Sequence, residues 1–533
     1  MSPDWFLVVL VIIMSVVLLL ANVYILVYFQ HDDDKNTAYF PKFLVIFGLF
    51  FAEATVLLLP LDVANNSTAV GCKEGWNKTC GNLDMDLLWL IVFMCVIVFI
   101  IVLVPFSIYY YEADDGGEED LAGDGHANNH QWLEAIKLEI GTLLVAVSLI
   151  VVLFVTVSKS HIPMRAVTVV STSPSYGFRE YVDGSTLTMA ELSNADKLTP
   201  ERIRVTLKVS LPIYTTGLVS FIGWFAFTVF CGIGLVALPL DLVLSFFYRP
   251  KFISADVYAH QKLALQRRSQ ELIELGRNIK ASMERPGAKA ASSWERRKQK
   301  KLDFVTLNKF KQAVYLLEQD AAELKLCHEE YRNYNPLVAV FKLIAGGIAG
   351  LLSSIWVLHI ALYMLPPVPL VPFLNTYFMW FDQWFPLFGT ISVGIFSWYL
   401  LMCAVKGCFK FGMRCFCFAL HPMKLHGTYM NSMLFNLGLV LACCIPAVQF
   451  CDEAFRDYGR LTAIRTMMGV QIRYLQGMSY LWEYNIFVYG ILVFALLTTL
   501  YLIAKPRDNA SPVDDLRKKI ERQVRERGAG NAV

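Results

Sequence analysis

Trp5–Phe29 reads WFLVVLVIIMSVVLLLANVYILVYF, with no charged residue along it. A helix of that length crosses the hydrocarbon of a bilayer, which takes roughly 18–20 apolar residues. Eight further stretches have the same character: Phe43–Leu61, Leu87–Tyr110, Ile140–Val157, Leu211–Val236, Leu337–Leu365, Phe385–Ala404, Met430–Cys451 and Ile486–Ile503. Lipid offers a backbone no hydrogen bonds, so each stretch must satisfy its own N–H and C=O groups as an α-helix. The sequence therefore predicts an all-α polytopic membrane protein with about nine transmembrane helices. Composition agrees: 56% of the 533 residues are hydrophobic and 17% charged, too little charge to cover nine such helices in water.

The first stretch is expected to stay as an anchor, because no basic residue precedes it and no small-residue cleavage site follows. Lys35 and Lys42 come after it, whereas Asp4 alone carries charge in the side chains before it. That bias puts the N-terminus on the lumenal or extracellular side and, after nine crossings, the C-terminus in the cytosol. The loop from Val63 to Asp86 then faces outward. It holds glycosylation sequons at Asn66 and Asn77, an overlapping one at Asn65, and the pair Cys72 and Cys80. Glycans and disulfides both belong to that side, so a glycoprotein with a Cys72–Cys80 bridge is expected; the alternative is a polar loop with two free thiols.

Four regions follow. Residues 1–248 carry five spans, 249–335 form a soluble insertion, 336–504 carry four spans, and 505–533 make a basic cytosolic tail. Within the insertion, Phe310, Val314, Leu317, Ala321, Leu324, His328 and Tyr331 recur at a 4-3-4-3 spacing. Leu265, Leu272, Leu275 and Ile279 make an earlier stripe, with the turn signal Pro286-Gly287 between the two. A cytosolic helical hairpin of coiled-coil type is predicted. The basic run from Arg296 to Lys301 reads as an anionic-lipid contact or as a solvated helix face. The acidic stretch from Glu112 to Asp124 lacks the spacing of a calcium loop and reads as a linker. Val167–Ser173 could form a strand. Cys403, Cys408, Cys415 and Cys417 read as reduced cysteines in an apolar setting or as palmitoylation sites.

Ionisable groups inside a bilayer are costly, which makes them functional candidates. Here they are Glu53 in the second span, Lys342 and His359 in the sixth, and Asp62 and Asp241 at span ends. Lys342 is expected to snorkel to the inner surface, and His359 to meet water near the outer edge. Glu53 has no such escape; it lines a path or is hydrogen-bonded between helices. The string Leu59-Pro60-Leu61-Asp62 recurs as Leu238-Pro239-Leu240-Asp241. With Gly232 and Gly234, these prolines are read as helix breaks of the kind found at transporter sites. The fifth span is expected to end there, its tail to Phe247 interfacial or kinked. No phosphate loop, zinc motif or nucleophile elbow is present. The chain is accordingly not read as an enzyme, and no catalytic residue, metal or cofactor is expected.

Longer strings carry a resemblance. They include Phe29-Gln30-His31-Asp32-Asp33-Asp34, Tyr39-Phe40-Pro41-Lys42, Leu59-Pro60-Leu61-Asp62-Val63-Ala64-Asn65 and Pro105-Phe106 with Tyr110-Tyr111-Glu112. Further on come Arg249-Pro250-Lys251, His421-Pro422-Met423-Lys424, Phe435-Asn436 and Gln449-Phe450-Cys451. In these the chain resembles the LIMR family, the lipocalin-interacting membrane receptor and limb-region-like proteins, most closely its plant and protist branch. The resemblance implies nine spans with a long cytosolic loop after the fifth. One branch implies lysosomal export of cobalamin with an ATP-driven partner, another a receptor that internalises lipocalins. The expected function is to transport, or assist the transport of, a small organic solute; the alternative is a membrane receptor or a signalling or trafficking scaffold. Expected partners are the lipid bilayer and an ABC-type transporter or an extracellular ligand, with no nucleic acid. The membrane is expected to be endolysosomal or plasma membrane.

Overall fold

The computed structural model describes residues 5–30, 39–66, 83–112, 126–166, 201–249, 251–284, ten helical positions between 310 and 328, 335–385, 387–410, 414–415, 418–419, 428 and 430–504. Among them, nine helices are long and apolar enough to cross a bilayer. Spans 1 and 2 are Trp5–Phe29 and Tyr39–Asn66. Span 3 runs through Met85–Val98, a π-helical turn at Phe99–Leu103, and Val104–Glu112. Spans 4 and 5 are His126–Val157 and Leu211–Phe247. Span 6 is Pro336–His359, closing in a π turn at Ile360–Met364. Spans 7, 8 and 9 are Phe388–Lys410, Met430–Ala454 and Ile486–Ala504.

Two compact units are present: Met1–Leu238 with Ala349–Thr498, and Pro239–Ile348 with Thr499–Val533. In the first, span 8 is the most enclosed helix, 78% of its apolar window being buried, and it packs against spans 2 and 7. Its neighbours supply large buried rings, among them Trp89, Phe93, Trp224, Phe227 and Trp356. Spans 1 and 4 instead leave Ile12, Leu20, Leu144 and Val155 exposed. In water such faces would be untenable; in a bilayer they meet acyl chains.

Contacts gather the exits of spans 2, 4, 6 and 8 at one end of this unit. Asp62 at the exit of span 2 binds the backbone of Ala463, past span 8. His359 near the exit of span 6 binds the carbonyl of Ala454, where span 8 ends. Past span 4, His161 N donates to the carbonyl of Tyr474 at 2.9 Å. The same end carries the short helices Phe373–Asp382 and Ser479–Glu483 and a π-helical segment, Arg465–Ile472. Two strands, β1 (Lys159–Ala166) and β2 (Glu201–Lys208), form an antiparallel ribbon between spans 4 and 5. The strand expected at Val167–Ser173 lies outside the described residues.

The expected helix breaks are corrected. Pro60 lies inside span 2, and span 5 continues through Gly232, Gly234 and Pro239 to Phe247. The glycines serve packing. Gly234 touches the Cys403 carbonyl of span 7, and Gly407 of span 7 touches the Phe230 carbonyl of span 5, so a Cβ at either would collide with backbone. Small residues of this kind let membrane helices approach closely.

The second unit contains the helical hairpin. Its first arm is Ala255–Glu284. Gly276 lies against the Phe310 ring, Arg268 pairs with Asp320 at 3.8 Å, and Tyr258 stacks on His328 at 4.6 Å. Contacts that fall in one arm as they rise in the other make the arms antiparallel. Leu272, Leu275 and Leu324 of the two stripes are buried. His328 Nδ1 is 3.0 Å from the Ile253 carbonyl, which can only accept, so Nδ1 carries the proton.

Candidate functional site

Of the five intramembrane candidates, the three in the first unit, Glu53, Asp62 and His359, each have their own partners. Glu53 is buried between spans 1 and 2, its Oε2 accepting from Asn22 Nδ2 at 3.1 Å. Asp62 is fully buried and accepts from three donors: Trp89 Nε1 of span 3 at 2.8 Å, Ala463 N at 3.1 Å and Ile464 N at 3.0 Å. Ala463 and Ile464 open a helix, so the carboxylate sits where backbone N–H groups lack intrahelical partners and the dipole is positive. His359 does not meet water as expected; it is fully buried, with its ring stacked on Tyr363 at 4.8 Å. Its Nε2 donates to the Ala454 carbonyl at 2.9 Å, which Asn375 Nδ2 also reaches at 3.2 Å. Asp241, half-buried, and Lys342, exposed, belong to the second unit.

The polar cluster that does assemble lies where span 8 ends. Arg465 Nη1 reaches Asp452 Oδ2 at 3.0 Å and Glu453 Oε2 at 3.1 Å. Arg473 binds the same Glu453 oxygen at 2.7 Å, and Arg456 reaches its other oxygen at 3.4 Å. The Asp452 side chain is only 4% exposed. Burial works against the charge of Arg465, but Asp452 and Glu453 outweigh it and hold the guanidinium pKa above its ordinary value. The charges fasten the segment after span 8 back onto that span. Asp62 holds the same segment from span 2.

Beneath this strap is a small cavity of about 40 Å³, room for a few water molecules. Its wall includes Gln449, Asp452 and Glu453 of span 8, Trp224 of span 5, Arg473, and Trp482. Gln449 Oε1 accepts from Ser220 Oγ at 2.8 Å and Trp224 Nε1 at 2.9 Å. An indole N–H only donates, which fixes the amide orientation and leaves the two Nε2 hydrogens as donors at the wall. Trp482 Nε1 is buried with no partner among the described residues. Trp224, Trp482 and Phe487 touch one another, with centroids 4.9–5.2 Å apart, and give the wall an apolar aromatic side. Asn485, at φ 52, occupies a left-handed conformation that Asn tolerates, and its Nδ2 donates to Met364 O at 3.3 Å, tying span 9 to span 6. An aromatic face with a few fixed donors can meet one hydrogen-bond acceptor, in a space well below the roughly 300 Å³ of an organic-ligand pocket. No group of three metal-ligating side chains occurs among the described residues.

Glu53, Pro60 and Pro239 do not line this cavity. Gln449, Asp452, Glu453, Arg465 and Arg473 were not among the candidates read from sequence. A signal was present: Asp452-Glu453 closes an apolar run, and Arg456, Arg460, Arg465 and Arg473 follow closely. Asn77, Cys72 and Cys80 lie outside the described residues, and Asn66 is the last residue of span 2. Asn65 is buried, its Nδ2 donating to the Leu83 carbonyl at 3.1 Å, so that sequon is engaged in the fold. Cys403 and Cys408 are buried within span 7, out of reach of acylation; the side chains of Cys415 and Cys417 lie outside the described residues.

Comparison with known proteins finds a family model, the LMBR1-like membrane protein, matching residues 7–337 and 264–500. A LIMR family protein of Dictyostelium discoideum is 32% identical over 95% of this chain and 99% of its own length. LIMR family proteins of Arabidopsis thaliana and rice are also 32% identical, each over 93% of this chain, and over 96% and 95% of their own lengths. No solved structure matches the chain.

Proposed function

We propose that this chain, which belongs to the LIMR family of LMBR1-like membrane proteins, transports a small organic solute or assists its transport, an acceptor group of the solute meeting the small cavity under the span 8 strap. The supporting observation is the fixed orientation of Gln449, a residue of the cavity wall whose oxygen is taken by Ser220 and Trp224, which leaves its amide hydrogens as the free donors. The role is binding and passage, not catalysis. On this reading the strap lies on the lumenal or extracellular side of an endolysosomal or plasma membrane. An ABC-type transporter or an extracellular ligand would be its partner there. Glycosidase treatment tests the side: a mobility shift lost in the Asn66→Gln, Asn77→Gln double variant places that loop in the lumen or outside.

The site is tested by flux of a panel of labelled organic solutes into vesicles carrying the purified protein. Gln449→Leu removes the donors, and for one neutral hydrogen bond of about 1 kcal/mol the expected loss is roughly fivefold in apparent affinity. Glu53→Gln, which lies elsewhere, should change little. Equal flux by wild type and Gln449→Leu for every transported solute would sink the cavity assignment.

The antiparallel hairpin favours a second reading, a receptor or a trafficking scaffold, because two long paired helices offer a protein-binding face. Excising residues 255–328 should then abolish partner recruitment while solute binding persists.

A further inference from the structure

Between Ile360 and Phe388 the chain carries a single charged side chain, Asp382. This stretch leaves span 6, passes Pro366, Pro367, Pro369 and Pro372, and forms the short helix Phe373–Asp382 before span 7 begins. Leu374, Asn375 and Phe378 of the helix are buried, whereas Thr376, Tyr377, Met379, Trp380 and, just past it, Gln383 and Trp384 are exposed. Each set recurs at steps of three and four residues, the pattern of a helix with two distinct faces. A helix between protein and water turns its polar face outward. Here the outward face is chiefly aromatic and apolar.

The inward face grips the exit of span 8. Asn375 Nδ2 donates to the Ala454 carbonyl and Asn375 Oδ1 accepts from Tyr458 N, both at 3.2 Å. The Phe378 ring lies 5.1 Å from Phe455 and 5.4 Å from Tyr458. Asp382 is engaged by the Tyr458 hydroxyl and Gly389 N, so the one charge of the stretch is used within the protein. The outward side stays bare: Val368 is 75% exposed, and Leu370 and Trp384 68% each. This patch continues a lipid-facing one. Span 7 exposes Phe388, Ile391, Ile395 and Trp398 along one stripe, which on a membrane-crossing helix meets acyl chains. Rings carry that stripe onto the short helix. Phe388 lies 5.0 Å from Phe381 and 5.2 Å from Phe385, Phe381 6.2 Å from Trp380, and Trp380 5.2 Å from Trp384.

We propose that Phe373–Asp382 is an in-plane helix whose outward face, with the Leu365–Pro372 approach to it, is seated at the boundary between headgroups and acyl chains of the adjoining leaflet. A helix of ten residues is about 15 Å long, too short to cross the hydrocarbon, so it lies along the surface. Trp and Tyr suit that depth, because the ring meets acyl chains while the N–H or O–H reaches headgroup oxygens. Thr376 and Gln383 add polar groups to the same face. The face carries no Lys or Arg, so apolar burial rather than charge attaches it, and a zwitterionic leaflet is sufficient. The leaflet then holds the exit of span 8 in place through Asn375 and Phe378.

The test uses the full chain in nanodiscs of zwitterionic phosphatidylcholine. The photo-crosslinking residue benzoylphenylalanine replaces Trp384 and, in a separate protein, Leu144, an exposed residue of span 4. Irradiation should join phosphatidylcholine to the chain at both positions, and the yield at Trp384 should not change with added salt. Depth is read by Trp fluorescence. Phosphatidylcholine brominated near the headgroup should quench the emission that the Trp380→Phe, Trp384→Phe variant lacks more strongly than lipid brominated near the chain end. Four results would overturn the proposal: a lipid adduct at Leu144 with none at Trp384, a cross-link from Trp384 to a second copy or another protein, a yield there that falls with salt, or stronger quenching by the deep bromines.

Discussion

At the residue scale, the buried charges after span 8 make the sharpest demands. Arg465 satisfies two carboxylates, one of them almost wholly enclosed. Removing one member of such a group leaves the other charged and unpaired, which typically destabilises by about 3–5 kcal/mol. Arg465→Met should therefore lower the melting temperature in detergent sharply, and adding Asp452→Asn should restore part of the loss. Equal melting of the single and double variants would contradict the pairing. Tyr458 provides a pH signature. Its hydroxyl donates to Asp382 Oδ2 at 2.5 Å, and Asp382 Oδ1 accepts from Gly389 N at 2.7 Å, at the start of span 7. Burial, reinforced by the Asp382 hydrogen bond, raises the Tyr458 pKa above that of a free tyrosine, about 10. The folded state then holds its proton more tightly than the unfolded state. The stabilisation is complete below pH ~10 and is lost as pH rises above it toward the folded pKa. Tyr458→Phe should be less stable at pH 8 yet show a shallower decline between pH 8 and 11 in thermal melts.

At the element scale, the strap from Ala463 to Met478 is held by Asp62, Arg465, Arg473 and the backbone of β1. Asp62→Asn keeps the shape but weakens the acceptors for Ala463 N and Ile464 N. For the loss of one capping charge, about 1 kcal/mol, amide hydrogen exchange across residues 463–472 should quicken roughly fivefold. Unchanged exchange there, with faster exchange elsewhere, would remove Asp62 from this role. Asp62 was legible in sequence as an unusual acid at a span end. Its backbone partners were not, because Ala463 and Ile464 come from beyond span 8 in sequence. The Asp452–Glu453 pair was hidden differently: hydropathy ended the span at Cys451 and passed the acids to the loop. Pro60 and Pro239 misled because a proline removes one backbone donor without forcing a membrane helix to stop. Gly232 and Gly234 misled because absent side chains serve close packing as readily as they serve a bend. The ribbon was missed although Arg202-Ile203-Arg204-Val205-Thr206-Leu207-Lys208 alternates at period two, since attention to long apolar runs passes over short amphipathic strands.

At the scale of the whole molecule, apolar length was enough to find the nine spans seen among the described residues, since a bilayer sets a minimum that soluble helices rarely meet without charge. The relatives agree, being 32% identical over 93–95% of the chain. What length could not show is how labour is divided within the chain. The strap, the cavity wall and the ribbon all lie in the unit made of Met1–Leu238 and Ala349–Thr498, whereas the hairpin arms lie in the other. Two compact units with their own internal packing should respond separately to change. Replacing residues 255–328 by a short Gly/Ser linker removes both arms and no residue of the cavity wall. The shortened protein should give a monodisperse peak in detergent. It should also keep the solute profile of the full chain, and the extra destabilisation caused by Arg465→Met should be the same in both backgrounds. A hairpin that instead governed the cavity would show itself as a lost solute profile together with a changed response to Arg465→Met.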